Sequence, residues 1–488
     1  VTDSFSDNEQ QEQDKNSRLE ETEKTVTSQS VDSLENLDPI ERSADLYAED
    51  EEPAEDKALS DSPELFEFPG SPLIVPRQEH NVSRKLIDYD ALKVMYRLIK
   101  AGYKAFLVGG GVRDLLLGKR PKDFDVGTSA SPEDVRKLFR NSRIIGRRFR
   151  MNQVYFRGGK IVEVATFRAQ TELVEGEDEP RMLAPDNTYG DEESDALRRD
   201  LTINGLFYDP NSYAVIDYVG GMDDLKNKII RVIGDPDKRF KEDPVRMIRS
   251  VRHAARTGFE IEPLTKQSII NNAPLISKVV RARVYEEFTR DIRSGYAANA
   301  LPMLQELGLL QLLMPELSKI YTEVSEEKSE LLLLLENTLT RIDQMHRQGS
   351  EIPVSVAFLA LCIDNFASIR PQRGERPGEK LKGIIHELYS DIGVTKRDRE
   401  DMEGIILLCH QLFNSSKLPP EKAKSLIHKP LIKEAILLLE LTVNNEYGHL
   451  ALESWKEILN NEPPRPRQRP PYRKNRRRRG GGAGARRP

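Results

Sequence analysis

The chain has 488 residues, of which 38% are hydrophobic and 32% charged, against a globular norm of about 45–50% and about 25%. That is length for two or three domains of about 150 residues, with part of the sequence outside any core. The net charge of −6 is the balance of two opposed ends: residues 1–68 carry 22 acidic and 5 basic side chains, residues 463–488 carry 11 basic and no acidic ones, and the span between them is neutral. Membrane and secreted classes are not expected. The apolar runs Leu331–Leu335 and Ile405–Cys409 are far shorter than the roughly 20 residues of a bilayer span. No charged-then-apolar leader opens the sequence. Two cysteines, Cys362 and Cys409, make neither a disulfide framework nor a cysteine zinc site, which fits a reducing cytoplasm.

Residues 1–68 are expected to be a disordered acidic arm, because they hold too little apolar surface to offset chain entropy. Asp90–Ala101 predicts an amphipathic helix with Leu92, Met95, Tyr96 and Ile99 inward and Gly102 as its stop. Ala105–Val108 predicts a short strand, Gly111–Leu117 a helix and Phe124–Thr128 a second strand. Ser131-Pro132 marks a capped helix start. Met151–Phe156 and Ile161–Phe167 alternate as strands, 171–194 reads as an acidic loop, and Arg198–Leu206 reads as helical. Val215–Tyr218 and Ile229–Ile233 are short strands, and from Asp243 the periodicity is almost wholly helical. Arg370–Gly378 is a loop between helical units. The fold class is therefore an α/β head followed by an all-α body. The expected domains are the head at 69–235, a helical neck at 236–315, a helical body at 316–462 and a disordered arginine-rich tail at 463–488. Proline and mutual repulsion keep that tail extended, and its arginines suit phosphate oxygens without reading sequence.

Five constellations carry chemistry. Gly109-Gly110-Gly111 follows a strand and precedes a helix, where backbone N–H groups can approach a phosphate and Arg113 can clamp it; the alternative is a tight turn. Gly118-Lys119-Arg120 excludes a Walker loop. In Lys122-Asp123-Phe124-Asp125, carboxylates two apart on a strand share a face and repel unless a cation lies between them. Hard oxygen ligands favour Mg²⁺, with Mn²⁺ as an alternative. Glu163, alone in an apolar strand, either faces an edge or adds a third carboxylate. In Arg198-Arg199-Asp200-Leu201-Thr202-Ile203-Asn204, a helix would set Asp200 and Asn204 on one face, able to hold a ribose hydroxyl with Arg199 near phosphate. In Glu242-Asp243-Pro244-Val245-Arg246, Asp243 and Arg246 lie one turn apart; an acceptor beside a donor fork can read a base edge, or the two can pair with each other. Arg249 and Arg252 repeat beyond them, available to phosphate or RNA.

In this order the five motifs resemble the class II tRNA nucleotidyltransferase/poly(A) polymerase family of the polymerase-beta-like superfamily, from Val75 to about Leu313. The resemblance implies a polymerase-beta-like sheet, metal binding by Asp123 and Asp125, and triphosphate contact by Gly110 and Arg113. It implies a ribose and catalytic motif at Asp200 with Arg199 and Asn204, and a base-reading pair at Asp243 and Arg246. Leu138–Arg150, the long helical half and the arginine-rich end look like the bacterial poly(A) polymerase branch. One departure is Met151-Asn152-Gln153-Val154, where that branch commonly has a histidine before the valine. An HD phosphohydrolase domain is not expected, since His386 is followed by Glu387. The implied activity is template-independent transfer of AMP from ATP to RNA 3′ ends, with Arg113, Arg199 and Arg249 stabilising the leaving group. A CCA-adding or A-adding tRNA enzyme is the alternative. RNA, and proteins of RNA degradation or RNA chaperones, are the expected partners.

Overall fold

The computed structural model describes residues 71–146, 150–169, 188–322, 325–367, 377–413, 425–443 and 446–461. The acidic arm 1–68, the arginine-rich tail 463–488, most of the 171–194 loop and 370–376 lie outside the described residues.

The head opens with β1 (Leu73–Val75), two single 3₁₀ turns and α1 (Tyr89–Lys100), then β2 (Ala105–Val108), α2 (Gly110–Leu116), β3 (Asp125–Thr128) and α3 (Pro132–Leu138). It continues through β4 (Ser142–Ile145), β5 (Met151–Tyr155), β6 (Ile161–Thr166), α4 (Glu192–Leu197), β7 (Leu206–Tyr208), β8 (Val215–Asp217), α5 (Gly221–Asn227) and β9 (Ile229–Ile230). Local chemistry explains the starts. The Asp88 carboxylate accepts from the amides of Asp90 and Ala91, and Ser131 accepts from Asp134 N with Pro132 behind it, satisfying donors that a helix start leaves unpaired. The buried stripe of α1 is Ala91, Val94, Met95 and Leu98, offset from the predicted one; Leu92 and Ile99 flank it.

Eight strands form one sheet in the order β1-β8-β7-β2-β3-β6-β5-β4, antiparallel except for β3 and β6. That parallel pair needs a crossover, supplied by α3 and the β4–β5 hairpin. β2 is buried throughout, and its side chains alternate between two layers. Ala105 and Leu107 join the large core, whereas Phe106 and Val108 join a small cluster with Phe167, Ala196, Phe207, Val219 and Ile233.

Beyond the head come α6 (Pro236–Glu242), α7 (Val245–Thr257), β10 (Glu260–Ile261), α8 (Pro263–Asn272), α9 (Arg281–Ile292), α10 (Ala297–Glu306), α11 (Leu310–Leu313) and α12 (Pro315–Thr322). Then follow α13 (Glu326–Arg347), α14 (Val354–Leu361), α15 (Ile363–Ala367), α16 (Pro377–Tyr389), α17 (Lys396–Phe413), α18 (Ile432–Thr442) and α19 (Glu446–Asn461). β10 is the exception to the helical expectation past Asp243; it pairs with β9 and ties the neck to the head. One hydrophobic core runs from Val75 to Trp455, so the predicted boundaries at 235 and 315 are not breaks in packing. Among the described residues, no helix is long and apolar enough to cross a membrane.

Candidate active site

The site grows from the end of β2. Gly109 has φ +72°, a conformation that costs a side-chain-bearing residue, and it caps α2. Its amide donates to Leu206 O at 3.3 Å. A Cβ on Gly109 would lie 3.0 Å from Nη1 of Arg199, so the bare turn lets that guanidinium come close. Val108 pairs with Asp125 across β2 and β3, which brings the Asp125 carboxylate out beside the turn. Asp123 lies in the loop before β3, so the two carboxylates meet at a strand entry and do not share a strand as the alternation implied. Glu163 is not at an edge: β6 lies between β3 and β5, and the parallel register pairing Val126 with Val164 sets it next to Asp125. Gln153, opposite Glu163, donates to its Oε1 at 3.0 Å and accepts from the Tyr155 hydroxyl at 3.0 Å.

Asp125 reaches solvent at the rim, yet its carboxyl is pushed up to about 6, first by desolvation in the packed corner and then by repulsion from Glu163 and Asp123, with Arg199 opposing. Among the described residues no three His, Cys, Asp or Glu side chains converge as a ready metal cluster. Asp125, costly to ionise beside Glu163 and Asp123, forms with Asp123 a hard-oxygen donor set that nevertheless suits a divalent cation. Arg199 closes the corner: it stacks 5.2 Å over Phe207, pairs with Asp195 at 2.9 Å and retains a buried Nε without a hydrogen-bond partner.

Behind this corner lies a buried polar hub. Arg198–Leu206 is not a helix. α4 ends at Leu197, Leu201 bridges to Val232, and Thr202–Asn204 makes one 3₁₀ turn. That turn still joins Asp200 to Asn204, whose Nδ2 donates to Oδ1 at 3.3 Å. The other carboxylate oxygen of Asp200 pairs with Arg249 Nη2 at 2.7 Å. Burial opposes the charge on Asp200, but Arg249 and neighbouring donors outweigh it and hold the carboxyl well below the usual range. Arg113 is 1% exposed. Its guanidinium donates to Asp114 at 2.7 Å, Asn204 Oδ1 at 2.7 Å and His253 Nδ1 at 3.1 Å. Burial together with Arg113 pushes the His253 imidazole down to about 3. Arg256 secures the far oxygen of Asp114 at 2.6 Å. Arg113 is thus placed as an internal strut under the glycine turn, with Nη2 3.3 Å from where a Gly110 Cβ would be, and not on an open phosphate face.

The third part is the α6–α7 junction. Asp243 and Arg246 do not pair with each other. Arg246 Nη1 donates to Glu242 Oε2 at 3.1 Å and Arg239 O at 3.2 Å, while Asp243 Oδ2 pairs with Arg283 of α9 at 3.0 Å. Asp243 Oδ1 is buried without a hydrogen-bond partner. Arg239 donates to Arg199 O at 2.7 Å, tying this junction to the corner of Asp123 and Asp125. Arg252 does not face phosphate: it is locked to Glu287 at 2.7 Å and to Asp291, fastening α7 to α9. Asp114, His253, Arg256, Glu242 and Arg283 were not legible as site residues. The contacts of His253 and Arg256 with Arg113 and Asp114, and of Arg283 with Asp243, span long sequence separations, whereas Glu242 and Asp114 also pair locally, with Arg246 and Arg113, and were passed over beside those arginines.

The head matches the Poly A polymerase head domain over residues 105–231, and 258–321 match the family described as the probable RNA and SrmB-binding site of polymerase A. Poly(A) polymerase I of Escherichia coli O6:H1 is 40% identical over 407 residues, covering 80% of this chain and 86% of that one. The CCA-adding enzyme of Geobacillus stearothermophilus is 38% identical over 221 residues, 45% of this chain and 53% of that one. A solved tRNA-processing enzyme with CTP shares the fold, with TM-score 0.53 and 24% identity over 77% of this chain and 93% of that one. A head match that spans the glycine turn, both carboxylates and Asp200, joined to 40% identity over 80% of the chain, makes this chain a member of the poly(A) polymerase family.

Proposed function

We infer that this chain is a template-independent polynucleotide adenylyltransferase that joins AMP from ATP to RNA 3′ hydroxyls and releases pyrophosphate. The observation that carries the reading is the corner where Asp123 and Asp125 stand beside the Gly109 turn and Arg199. The 3′ oxygen forms a bond to the α-phosphorus as the bond to pyrophosphate breaks in line. Asp123 and Asp125 would hold a divalent ion, Mg²⁺ by its preference for hard oxygens or Mn²⁺ in its place, which would supply a lowered pKa at the attacking hydroxyl and neutralisation of triphosphate charge. Glu163, held by Gln153, keeps the corner negative. The Gly109 and Gly110 turn lets the triphosphate approach the backbone, and Arg199 offsets charge on the leaving group.

Asp200 acts as a fixed, ionised anchor: it aims Arg249, whose side chain is 39% exposed, at the nucleotide and orients Asn204 for a ribose hydroxyl. Arg113 supports this assembly from beneath. Asp243 and Arg246 read the base edge in place of a template. In this reading the head spans 69–235, the base-reading neck 236–315 and the RNA-binding body 316–462, with the tail 463–488 adding non-specific RNA contacts. It places the protein in the cytoplasm, among proteins of RNA degradation or RNA chaperones.

The test supplies Mg²⁺, ATP or CTP alone, and either an unstructured RNA or a tRNA lacking its CCA end. Long ladders on the unstructured RNA with ATP only are expected. Addition confined to tRNA and ending after CCA, or after one A, would instead place the chain with the tRNA enzymes.

A further inference from the structure

We propose that the electropositive surface where the loop before β3 faces the end of α13 binds backbone phosphates of the RNA just upstream of its reacting 3′ end; this rests on the reading of the chain as an RNA-extending transferase. Lys122 stands in that loop, one residue before Asp123, and is exposed. Across from it Arg293 caps the end of α9, and His346 and Arg347 lie in the last turn of α13. The α9–α10 turn packs on that last turn. Asp343 accepts from the amides of Ala297 and Ala298 at 2.8 and 2.9 Å, and a Cβ on Gly295 would lie 3.2 Å from Arg347 Cγ. Arg347 lies over the Tyr296 ring, 5.9 Å from its centroid. The His346 ring is held by the Ser350 backbone, and its Nε2 is buried without a hydrogen-bond partner. Burial, then the charges of Arg293 and Lys122, push this imidazole down, so the head loop and both helix ends converge on it.

This surface differs from the interior of the site in having no counter-charge. Arg246, Arg252 and Arg256 are each tied to a carboxylate. Lys122, Arg293 and Arg347 are exposed and make no ion pair among the described residues. Lys119 and Arg120 in the same loop are likewise exposed. Cations gathered without carboxylates repel one another, and a polyanion relieves that repulsion. The buried Nε2 of His346 is a polar atom that costs free energy until a ligand completes it. Lysine and arginine hold phosphate oxygens without reading the base, which suits an enzyme that must accept its own growing product. In the reading above the triphosphate takes the Gly109 turn and Arg199. The phosphates left for this surface are therefore those of the strand that brings the hydroxyl to Asp123.

The experiment titrates a short unstructured oligoadenylate onto full-length wild type, Lys122→Ala, Arg293→Ala/Arg347→Ala and Arg293→Lys/Arg347→Lys, in chelator at several salt concentrations. Extension with Mg²⁺ and ATP is measured on the same proteins. Each lost phosphate contact lowers the slope of log affinity against log salt by about 0.7 on a single strand. The alanine pair is expected to lower it by about 1.4 and Lys122→Ala by about 0.7. KM for RNA is expected to rise about tenfold in the alanine pair while KM for ATP stays within about twofold. The lysine pair keeps both charges and stays near wild type, which separates charge from packing. Lys122→Ala carries the comparison if the alanine pair does not fold. A neutral methylphosphonate in the last few linkages of the RNA is expected to weaken binding by wild type and not by the alanine pair; equal weakening of both places the contacts elsewhere and overturns the site. An unchanged salt slope in Lys122→Ala and the alanine pair also overturns it, as does a raised KM for ATP with an unchanged KM for RNA, which would give the surface to the triphosphate. A lowered slope beside a wild type that does not extend RNA overturns the transferase reading and leaves the phosphate site standing.

Discussion

At Asp125, the proposed catalytic role and folding stability pull in opposite directions. Desolvation and the charges of Glu163 and Asp123 raise its carboxyl to about 6, so in the absence of metal the ionised side chain opposes the folded state. The sign follows from linkage: a folded pKa above the unfolded value near 3.9 means no penalty below about pH 4 and the full penalty above about pH 6. Asp125→Asn is therefore expected to raise Tm in chelator by about 2 °C at pH 7.5, corresponding to about 1 kcal/mol after solvent screening of this exposed side chain. The gain should shrink to nothing by pH 4. The same variant is expected to lower kcat for AMP transfer at least about 100-fold in Mg²⁺. Thermal melts across that pH range, paired with the incorporation assay, check both signs. A variant that is destabilised at pH 7.5 would mean the corner is not charge-crowded.

The elements differ in how far the sequence revealed them, and the reason is whether a residue's role is local. Gly109 was legible as a turn because a glycine run between an apolar strand and a helix marks one, and its φ of +72° is that of a turn glycine. Asp125 was legible through its own strand. By contrast, Arg198–Leu206 has helix-like spacing, but Asp200 takes its own neighbour's amide, Leu201 N at 2.9 Å, and Leu201 is drawn into a bridge with Val232. Side-chain capture of the backbone and a distant partner overrode local propensity. Asp243 and Arg246 are joined by a backbone turn, Arg246 N to Asp243 O at 3.1 Å, yet their side chains go elsewhere, Arg246 to Glu242 four residues before it and Asp243 to Arg283 on another helix.

The turn itself gives an element-scale prediction. In Gly109→Ala, positive φ strains the backbone by about 1 kcal/mol, and the new methyl meets Arg199 Nη1 at 3.0 Å. The guanidinium must give way by a few tenths of an ångström, while the sheet beneath, with β2 buried on both faces, remains intact. The expected outcome is a fall of at least about tenfold in kcat/KM for ATP with a Tm loss of only about 2 °C. Steady-state kinetics beside a thermal melt separate that result from general unfolding.

For the whole molecule, the decisive contrast is between a neutral body and a tail of 11 basic residues at 463–488. The continuous core from Val75 to Trp455 makes the described body one mechanical piece that includes the corner of Asp123 and Asp125. Affinity for RNA is another matter. A run such as Arg476–Arg479 binds phosphates by releasing counterions, and for single strands each contact adds about 0.7 to the slope of log affinity against log salt. If five of the eleven charges meet phosphate, deleting 463–488 lowers that slope by about 3.5, and the loss of affinity is largest at low salt. At saturating RNA the single-turnover rate of AMP addition should stay within about twofold, since the triphosphate and carboxylate contacts are untouched. Binding titrations at several salt concentrations, with single-turnover extension on the same proteins, test both halves. An unchanged slope would remove the tail from the RNA path, whereas a slope that falls together with the single-turnover rate would mean that the tail also positions the 3′ end for chemistry.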